Sequence, residues 1–188
     1  AVHLSYPSRA AQRGRTPKEA SCFLKAASRL TGPGEVVRPE GTELLVFEAE
    51  IAPVIGKAGR HISEEDAWSH VGWVIADRGA NVRSKAGDGM TPVGPQLIDA
   101  TKVDPATLRI KATVDGKVVQ DDSSSTLLFS FSHFIADLSR FMTLEPGDII
   151  LTRTPAGSSG LQPGQTVTVE VFSETDPALA SGALTTTV

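Results

Sequence analysis

Two glutamates separated by a single residue are the first candidates for chemistry in this sequence. Glu48 and Glu50 lie in an apolar stretch, residues 44–55, that has the character of a β-strand. Side chains two positions apart in a strand project from the same side, so the two carboxylates would be neighbours. Adjacent carboxylates in an apolar setting cannot both stay ionised unaided. They need a proton, paired arginines or a divalent cation, and Mg²⁺, Mn²⁺ and Ca²⁺ favour such oxygen ligands.

The same stretch allows a second interpretation. Apolar residues occur at both parities, which favours a strand that is buried on both faces. Pro53, however, cannot donate a hydrogen bond to a sheet ladder. It favours an edge strand or a bulge on which Glu48 and Glu50 are solvated. The residues of the strand alone leave both interpretations open.

Arg9 and the histidines are the other candidates outside this strand. Arg9 offers a guanidinium fork that matches a distal carboxylate of a substrate. The alternative is a surface arginine in the basic run Arg9, Arg13 and Arg15, and the sequence does not decide between them. No histidine has a partner at a metal-ligand spacing, and we predict no functional role for the four of them: His3, His61, His70 and His133.

The bulk properties describe a globular chain. Its 188 residues suit one domain, residues 1–188, and 40% of them are hydrophobic and 21% charged. The net charge of −4 argues against nucleic acid or an anionic membrane as a partner, and no apolar run is long enough to span a bilayer. The single cysteine, Cys22, favours a reducing cytoplasm. Because the chain opens in a strand-like segment without an initiator Met, we expect that residues precede Ala1.

The elements that must position these residues are mostly short strands. Asp115-Gly116 predicts a hairpin turn, and residues 166–172 alternate as a half-buried strand does. Residues 73–76 form an apolar strand that we expect to end at Asp77-Arg78-Gly79. The apolar spacing predicts a helix from about Ser125 to Thr143, and the tail beyond Glu174 is expected to be loosely held.

Several segments, taken in order, resemble the fumarylacetoacetate hydrolase family, and in particular its 2-hydroxyhepta-2,4-diene-1,7-dioate isomerase-like members. The likeness extends from about Tyr6 to Phe172. The segments that carry it are Phe47-Glu48-Ala49-Glu50 with Val54-Ile55-Gly56-Lys57, Ser84-Lys85 with Asp88-Gly89, Pro92-Val93-Gly94-Pro95, Asp115-Gly116 with Gln120, and Leu144–Thr152 leading into Thr154-Pro155-Ala156-Gly157. The resemblance implies an α+β, mainly β fold: a mixed β-sheet roll with few helices, as in the C-terminal domain of fumarylacetoacetate hydrolase. It also implies a homodimer or larger assembly.

The resemblance also implies a site. Glu48, Glu50 and Asp77 match the ligands of Mg²⁺ or Mn²⁺, with Ca²⁺ as a further candidate. Lys85 matches the lysine that faces the metal, and it is the candidate catalytic residue. Gln120 and Thr154 match positions that contact substrate. The connection between Asp77 and Lys85 is shorter than in relatives, which implies a missing loop near residues 77–82. A residue of that loop is the alternative to Asp77 as the third ligand.

Two departures from the family pattern bear on the chemistry. Arg9 and Gln12 stand where many members carry a His and a Glu that serve as a base or position water, so both are assigned here to substrate binding. Neither side chain can take up a proton at neutral pH. In addition, Arg153 replaces the family glycine between two threonines, in a loop that approaches substrate.

These features predict a divalent-metal-dependent enzyme for a small keto- or hydroxy-dienoate acid in aromatic-compound catabolism. Isomerisation or decarboxylation is expected to exceed hydrolysis, because water activation needs a base that Arg9 and Gln12 cannot supply. The first alternative is an acylpyruvate- or fumarylacetoacetate-type C–C bond hydrolase. A further alternative is a non-catalytic relative that binds a small acid.

Overall fold

A computed structural model describes residues 1–81 and 87–188 of the chain, and most of its regular structure is β-strand. The α-helices are α1 (Pro7–Gln12) and α2 (Phe131–Phe141). Single turns of 3-10 helix are formed by Ala27–Arg29, Ala67–His70, Ala100–Lys102, Pro105–Thr107 and Ser124–Thr126. The strands are β1 (Leu30–Thr31), β2 (Gly34–Glu35), β3 (Leu45–Ile55), β4 (Val71–Asn81), β5 (Thr91–Pro92), β6 (Ile98–Asp99), β7 (Leu108–Val114), β8 (Lys117–Ser123), β9 (Gly160–Leu161), β10 (Thr166–Ser173) and β11 (Leu184–Thr187).

The strands form a mixed β architecture. One sheet has the order β2-β11-β10-β7-β8, a second has the order β6-β4-β3-β9, and β1 pairs with β5 in a small parallel ribbon. The β11–β2 pair is parallel, whereas β3–β4, β7–β8 and β10–β11 are antiparallel. The predicted α+β, mainly β fold with few helices is therefore confirmed. In the part of the chain that the structure describes, no helix has the length and apolar character needed to cross a bilayer.

The main core lies between the two larger sheets. Alternate residues of β3 and β4 face alternate residues of β7 and β10 across it, because successive side chains of a strand point to opposite faces. Its fully buried members include Phe47, Ile51, Ile110, Val167 and Val169. Burial of each large apolar side chain contributes roughly 1.5–3 kcal/mol. The residues of β3 with the other parity, Glu48 and Glu50 among them, therefore lie on the face that points away from this core.

The segment that follows α2 covers the remaining edge of β3. The amide of Ile55 donates to the carbonyl of Asp148 at 2.9 Å, and the amide of Ile150 donates to the carbonyl of Pro53 at 2.9 Å. The side of Pro53 that lacks an N–H donor therefore faces an irregular segment, where no regular ladder needs that donor. A β-bulge follows between Val54 and Ile55. The edge-strand interpretation with solvated glutamates is wrong: β3 is buried on both faces.

The hairpin and the alternating strand are confirmed. Asp115 and Gly116 both have positive φ, 49° and 80°, as the two central residues of a tight hairpin turn require, and they join β7 to β8. The alternating segment is β10, whose residues are buried at every second position.

Three boundaries differ from the predictions. The strand expected to end at Asp77 continues to Asn81, because β3 supplies a partner for each residue along that length. The predicted helix starts only at Phe131: Ser130 caps it by accepting from the amide of His133 at 3.0 Å, and the amide of Leu128 donates instead to the carbonyl of Ser5. The tail is not loose, since β11 pairs with both β10 and β2 and buries Leu184 completely.

The loop predicted to be missing near residues 77–82 falls partly outside the described residues. The backbone is continuous in β4 through Asn81, and residue 82 lies beyond the described part. The absence of a loop there stays a prediction.

Candidate metal centre

The register of β3 against β4 brings two acidic residues face to face. Glu50 pairs directly with Asp77, and Glu48 pairs with Gly79. Directly paired residues of antiparallel strands project from the same face of the sheet. The pairing therefore gathers Glu48, Glu50 and Asp77 on the face that points away from the main core.

These carboxylates are removed from solvent. Glu50 and Asp77 are each 0% exposed, and Glu48 is 4% exposed. The Oε1 atom of Glu50 and both side-chain oxygens of Asp77 have no hydrogen-bond partner within residues 1–81 and 87–188. A buried charged oxygen without a partner costs several kcal/mol, so such atoms call for a proton or a cation.

Gly79 leaves open space beside these unpaired oxygens. A Cβ atom added at Gly79 would lie 3.5 Å from Glu50 Oε1 and 3.6 Å from Asp77 Oδ2, so both oxygens border the volume that the missing side chain leaves. Unpaired carboxylate oxygens around a small open volume suit a hard divalent cation such as Mg²⁺ or Mn²⁺. The donor set of Glu50 and Asp77 thus fits the metal that the resemblance implies.

Burial and the neighbouring carboxylate set the protonation of Asp77. Burial raises the pKa of Asp77 well above its ordinary value, and the charge of Glu50 raises it further. The positive charges of Lys25 and Arg29 lower this pKa, but by less. A raised pKa means that folded Asp77 binds a proton more tightly than in the unfolded chain, and a divalent ion that bound there would compete with that proton.

Glu48 is engaged by cationic and amide groups instead. The guanidinium of Arg153 donates from Nη1 to Glu48 Oε2 at 2.6 Å and from Nη2 to Glu48 Oε1 at 2.8 Å. Asn81 donates its amide to Glu48 Oε2, and Arg9 Nη2 lies 4.0 Å from Oε1. As they stand, no three His, Cys, Asp or Glu side chains of the described residues are placed to hold an ion together. Glu48 would join Glu50 and Asp77 only by giving up part of its pairing with Arg153.

The backbone of Arg153 supports the same site. Its φ is 72°, in the left-handed region that glycine favours, so the arginine keeps the backbone form that a glycine at this position would adopt. In this conformation its amide donates to Glu50 Oε2 at 2.8 Å. The neighbouring Thr152 donates through Oγ1 to the carbonyl of Ile51 at 2.6 Å, which fastens the loop to β3.

Gln120 and Thr154 lie together, beside β3. Gln120 Nε2 donates to Thr154 Oγ1 and to the carbonyl of Pro155, both at 2.8 Å, and its Oε1 accepts from the amide of Ala49 at 3.4 Å. Gln120 is 2% exposed and Thr154 is fully buried. In this structure the pair ties the loop after Arg153 to the strand that carries the glutamates.

The remaining predicted residues are divided between the site and its surroundings. Arg9 is buried in α1 near Glu48 and donates through Nη1 to Gln12 Oε1, while Gln12 itself is exposed. Lys85 lies outside the described residues. His70 contacts the carbonyl of Lys57 and His133 contacts Glu64, so both have partners other than the acidic cluster.

Three cationic residues near the cluster were not predicted from the sequence. Arg29 is fully buried and donates to the carbonyls of Ala80 and Met90 at 2.8 and 2.9 Å. Lys25 is close enough to lower the pKa of Asp77. Arg78 follows Asp77 in the chain but projects to the opposite face of β4, and burial lowers its pKa to about 10. The only sequence signal for Arg78 was a charge inside an apolar strand pattern, and for Arg29 and Lys25 there was none.

Comparison with known proteins identifies the family. The sequence model of the fumarylacetoacetate (FAA) hydrolase C-terminal family matches residues 2–188. The chain belongs to the fumarylacetoacetate hydrolase family. Within that family it is 38% identical over 186 residues to a 4-hydroxyphenylacetate degradation bifunctional isomerase/decarboxylase of Salmonella dublin, a match that covers 91% of this chain and 43% of the relative. It is also 38% identical over 156 residues to a mitochondrial oxaloacetate tautomerase of Homo sapiens, which covers 75% of this chain and 50% of that protein.

Solved structures of fumarylacetoacetate hydrolase family members share the fold. A fumarylpyruvate hydrolase from Pseudomonas aeruginosa, in complex with Mn²⁺ and pyruvate, superposes with a TM-score of 0.88 at 27% identity, covering 100% of this chain and 87% of that one. A 2-hydroxyhepta-2,4-diene-1,7-dioate isomerase from Mycobacterium marinum superposes with a TM-score of 0.85 at 30% identity, covering 100% of this chain and 72% of that one. The chain spans half or less of the length of the two curated relatives described above. The prediction that it is an enzyme of this family is confirmed.

Proposed function

We propose that the protein is a divalent-metal-dependent isomerase or decarboxylase acting on a small keto- or hydroxy-dienoate acid. The observation that carries the proposal is the pairing of Glu50 with Asp77 across β3 and β4, fully buried and with unpaired oxygens. The names of its relatives support the substrate class, and the Mn²⁺ complex of the P. aeruginosa hydrolase supports the kind of metal. A 2-hydroxyhepta-2,4-diene-1,7-dioate-type acid from aromatic-compound catabolism is the proposed substrate.

Glu50 and Asp77 would hold Mg²⁺ or Mn²⁺, with Glu48 as the third ligand. The ion would supply positive charge that stabilises an enolate oxygen of the substrate. The surrounding residues orient these ligands: the amide of Arg153 fixes one oxygen of Glu50, and the amide of Asn81 binds one oxygen of Glu48. Glu48 would exchange part of its pairing with the Arg153 side chain for the ion. Lys85, by its resemblance to the family lysine, is proposed to carry the proton.

Isomerisation and decarboxylation fit the groups next to the acidic cluster better than hydrolysis does. Isomerisation moves a proton between two positions of one substrate, and decarboxylation replaces CO₂ by a proton. Hydrolysis consumes a water that a base must activate, a step commonly worth ~10²–10⁴-fold. Arg9 and Gln12 stand at the positions of the family base, and Arg9 donates a hydrogen bond to Gln12. Neither side chain can accept a proton at neutral pH.

A C–C bond hydrolase is the second candidate, and one observation favours it. The P. aeruginosa fumarylpyruvate hydrolase shares the fold over the whole chain with the higher TM-score of the two structures described above. An acylpyruvate would then be the substrate, and a group other than Arg9 or Gln12 would have to activate the water.

Turnover of three substrates with Mn²⁺ present separates these candidates. We expect 2-hydroxyhepta-2,4-diene-1,7-dioate or oxaloacetate to react at least ~10-fold faster than an acylpyruvate, since only the acylpyruvate needs an activated water. Asp77→Asn should abolish all of these activities, whereas Glu65→Gln, a change at an exposed residue, should leave them unchanged. Fastest cleavage of the acylpyruvate, at a rate that Arg9→Ala leaves intact, would overturn the preference for isomerisation.

A further inference from the structure

Four of the six residues that line a small pocket beside Glu48 are arginines. Its volume is about 230 Å³, and its walls are formed by His3, Leu4, Arg9, Arg13, Arg15 and Arg153. We call it the arginine pocket. Arg9 and Arg153 form its buried side, at 5% and 8% exposure, and Arg13 and Arg15 form its exposed side. The buried side adjoins the candidate metal centre, because both of its arginines contact Glu48.

Positive charge in the arginine pocket exceeds the negative charge that the structure places against it. Glu48 is already bound by both nitrogens of the Arg153 fork. The Nε of Arg9 is buried without a hydrogen-bond partner in the described part of the chain. A buried guanidinium with an unused donor, among other arginines, indicates a site for an added anion.

The backbone holds this arrangement at some conformational cost. Leu4 and Arg153, on the pocket wall, both have left-handed backbones, with φ of 40° and 72°. Residues with a side chain keep this conformation only where the surrounding structure imposes it, and they cluster at ligand sites. The guanidinium of Arg153 therefore reaches the pocket from a position whose backbone suits glycine.

We propose that the arginine pocket binds the distal carboxylate of a dicarboxylate substrate and so selects diacids over monoacids. The inference rests on the proposed function, because it assigns the near end of the substrate to the metal centre. Arg9, Arg13 and Arg15 are the donors available to the distal carboxylate, while Arg153 connects the pocket to Glu48. Guanidinium forks match the two oxygens of a carboxylate, which accounts for a preference for an acid at this end.

The kinetic test uses a matched pair of substrates, 2-hydroxyhepta-2,4-diene-1,7-dioate and the monoacid 2-hydroxypenta-2,4-dienoate. We expect the double variant Arg13→Ala/Arg15→Ala to raise KM for the diacid by ~10-fold or more and to leave KM for the monoacid unchanged, since a charge-assisted hydrogen bond is lost only for the diacid. The double variant Arg13→Lys/Arg15→Lys should have a KM for the diacid between those of the wild type and the double alanine variant, because lysine keeps the charge but lacks the guanidinium fork. Arg60→Ala, at an exposed arginine outside the pocket, is the control. Equal changes for both substrates, or none, would overturn the proposal.

A binding measurement separates this proposal from the proposed function. With a chelator present and at constant ionic strength, adipate should raise the melting temperature of the wild type and of Arg60→Ala, and should fail to do so for Arg13→Ala/Arg15→Ala. If adipate binds in this way while no substrate is turned over, the anion site stands and the proposed function fails. If turnover occurs without adipate binding and without preference for the diacid, the anion site fails alone. A larger shift with inorganic phosphate than with adipate would contradict the assignment to a carboxylate.

Discussion

At the scale of single residues, the buried pair of Glu50 and Asp77 dominates the chemistry of this protein. The unpaired oxygens of these two residues cost folding free energy that a cation or a proton can offset. Because burial and Glu50 raise the pKa of Asp77, the metal-free folded protein binds a proton on that carboxyl more tightly than the unfolded chain does. Glu48, by contrast, is balanced by Arg153 and Asn81 without any ion.

The raised pKa of Asp77 predicts how the stability of the metal-free protein depends on pH. Above 3.8, the ordinary value, the unfolded chain has lost a proton that folded Asp77 still binds, so the free energy of unfolding falls as the pH rises until the folded pKa is reached. Each pH unit in this window costs about 1.4 kcal/mol. We expect Asp77→Asn to remove this slope and to be more stable than the wild type at pH 7.

Urea unfolding between pH 4 and pH 8 in the presence of a chelator measures this effect. Glu65→Gln, at an exposed position, should follow the wild type throughout. The same slope in Asp77→Asn as in the wild type would show that Asp77 does not hold the proton.

At the scale of the elements, patterns within a strand were predictable and pairings between strands were not. The shared side of Glu48 and Glu50 follows from the periodicity of residues 44–55, and the Asp115-Gly116 turn follows from its residue types. The same periodicity favoured burial of β3 on both faces but left a solvated edge strand open, and the packing of the structure decides between them. The alignment of Asp77 with Glu50 depends on the β3–β4 register, for which the strand sequence carries no local signal. The family resemblance supplied Asp77 instead.

Tertiary contacts account for the element boundaries that the sequence did not predict. Apolar residues 127 and 128 continue the helical spacing, but the hydrogen bond from Leu128 to Ser5 holds the backbone in another direction. Arg29 likewise donates hydrogen bonds to carbonyls that are distant in the chain, and it lies in a segment with no regular apolar pattern. Such contacts join residues far apart in the chain, so periodicity cannot reveal them.

Arg29 is predicted to secure the end of β4 that follows Asp77. It is fully buried and donates to Ala80, Met90 and Thr91. Arg29→Met should lower the free energy of unfolding by ~2–4 kcal/mol, since it leaves buried acceptors unsatisfied at roughly 1–3 kcal/mol each. Urea unfolding measures the loss, and Arg140→Met, with a side chain 69% exposed, should change stability by less than ~0.5 kcal/mol. Equal effects of the two substitutions would contradict the assignment to Arg29.

At the scale of the whole molecule, two packed sheets carry the site on the outer face of one of them. The main core fixes β3 and β4 from one side, and the segment after α2 closes the edge of β3. The arginine pocket lies next to this site, because Arg153 lines the pocket and its guanidinium binds Glu48.

A homodimer is predicted for the protein in solution. Two-fold dimers are the commonest oligomers, and large apolar side chains such as Leu24, 85% exposed, and Phe141, 68% exposed, remain uncovered in the single chain. Light scattering at micromolar concentration should report twice the chain mass of 19.8 kDa. A mass of one chain, unchanged by dilution, would contradict the dimer.

Calorimetric titration with Mn²⁺ tests the central claim most directly, because it measures the metal centre without any assumption about substrate. We expect one ion to bind per wild-type chain, with proton release as Asp77 ionises. Glu48→Ala, Glu50→Gln and Asp77→Asn should each abolish binding, and Glu65→Gln should bind as the wild type does. Unchanged Mn²⁺ binding in Glu50→Gln and Asp77→Asn, or no binding by the wild type, would contradict the assignment of the metal to this pair.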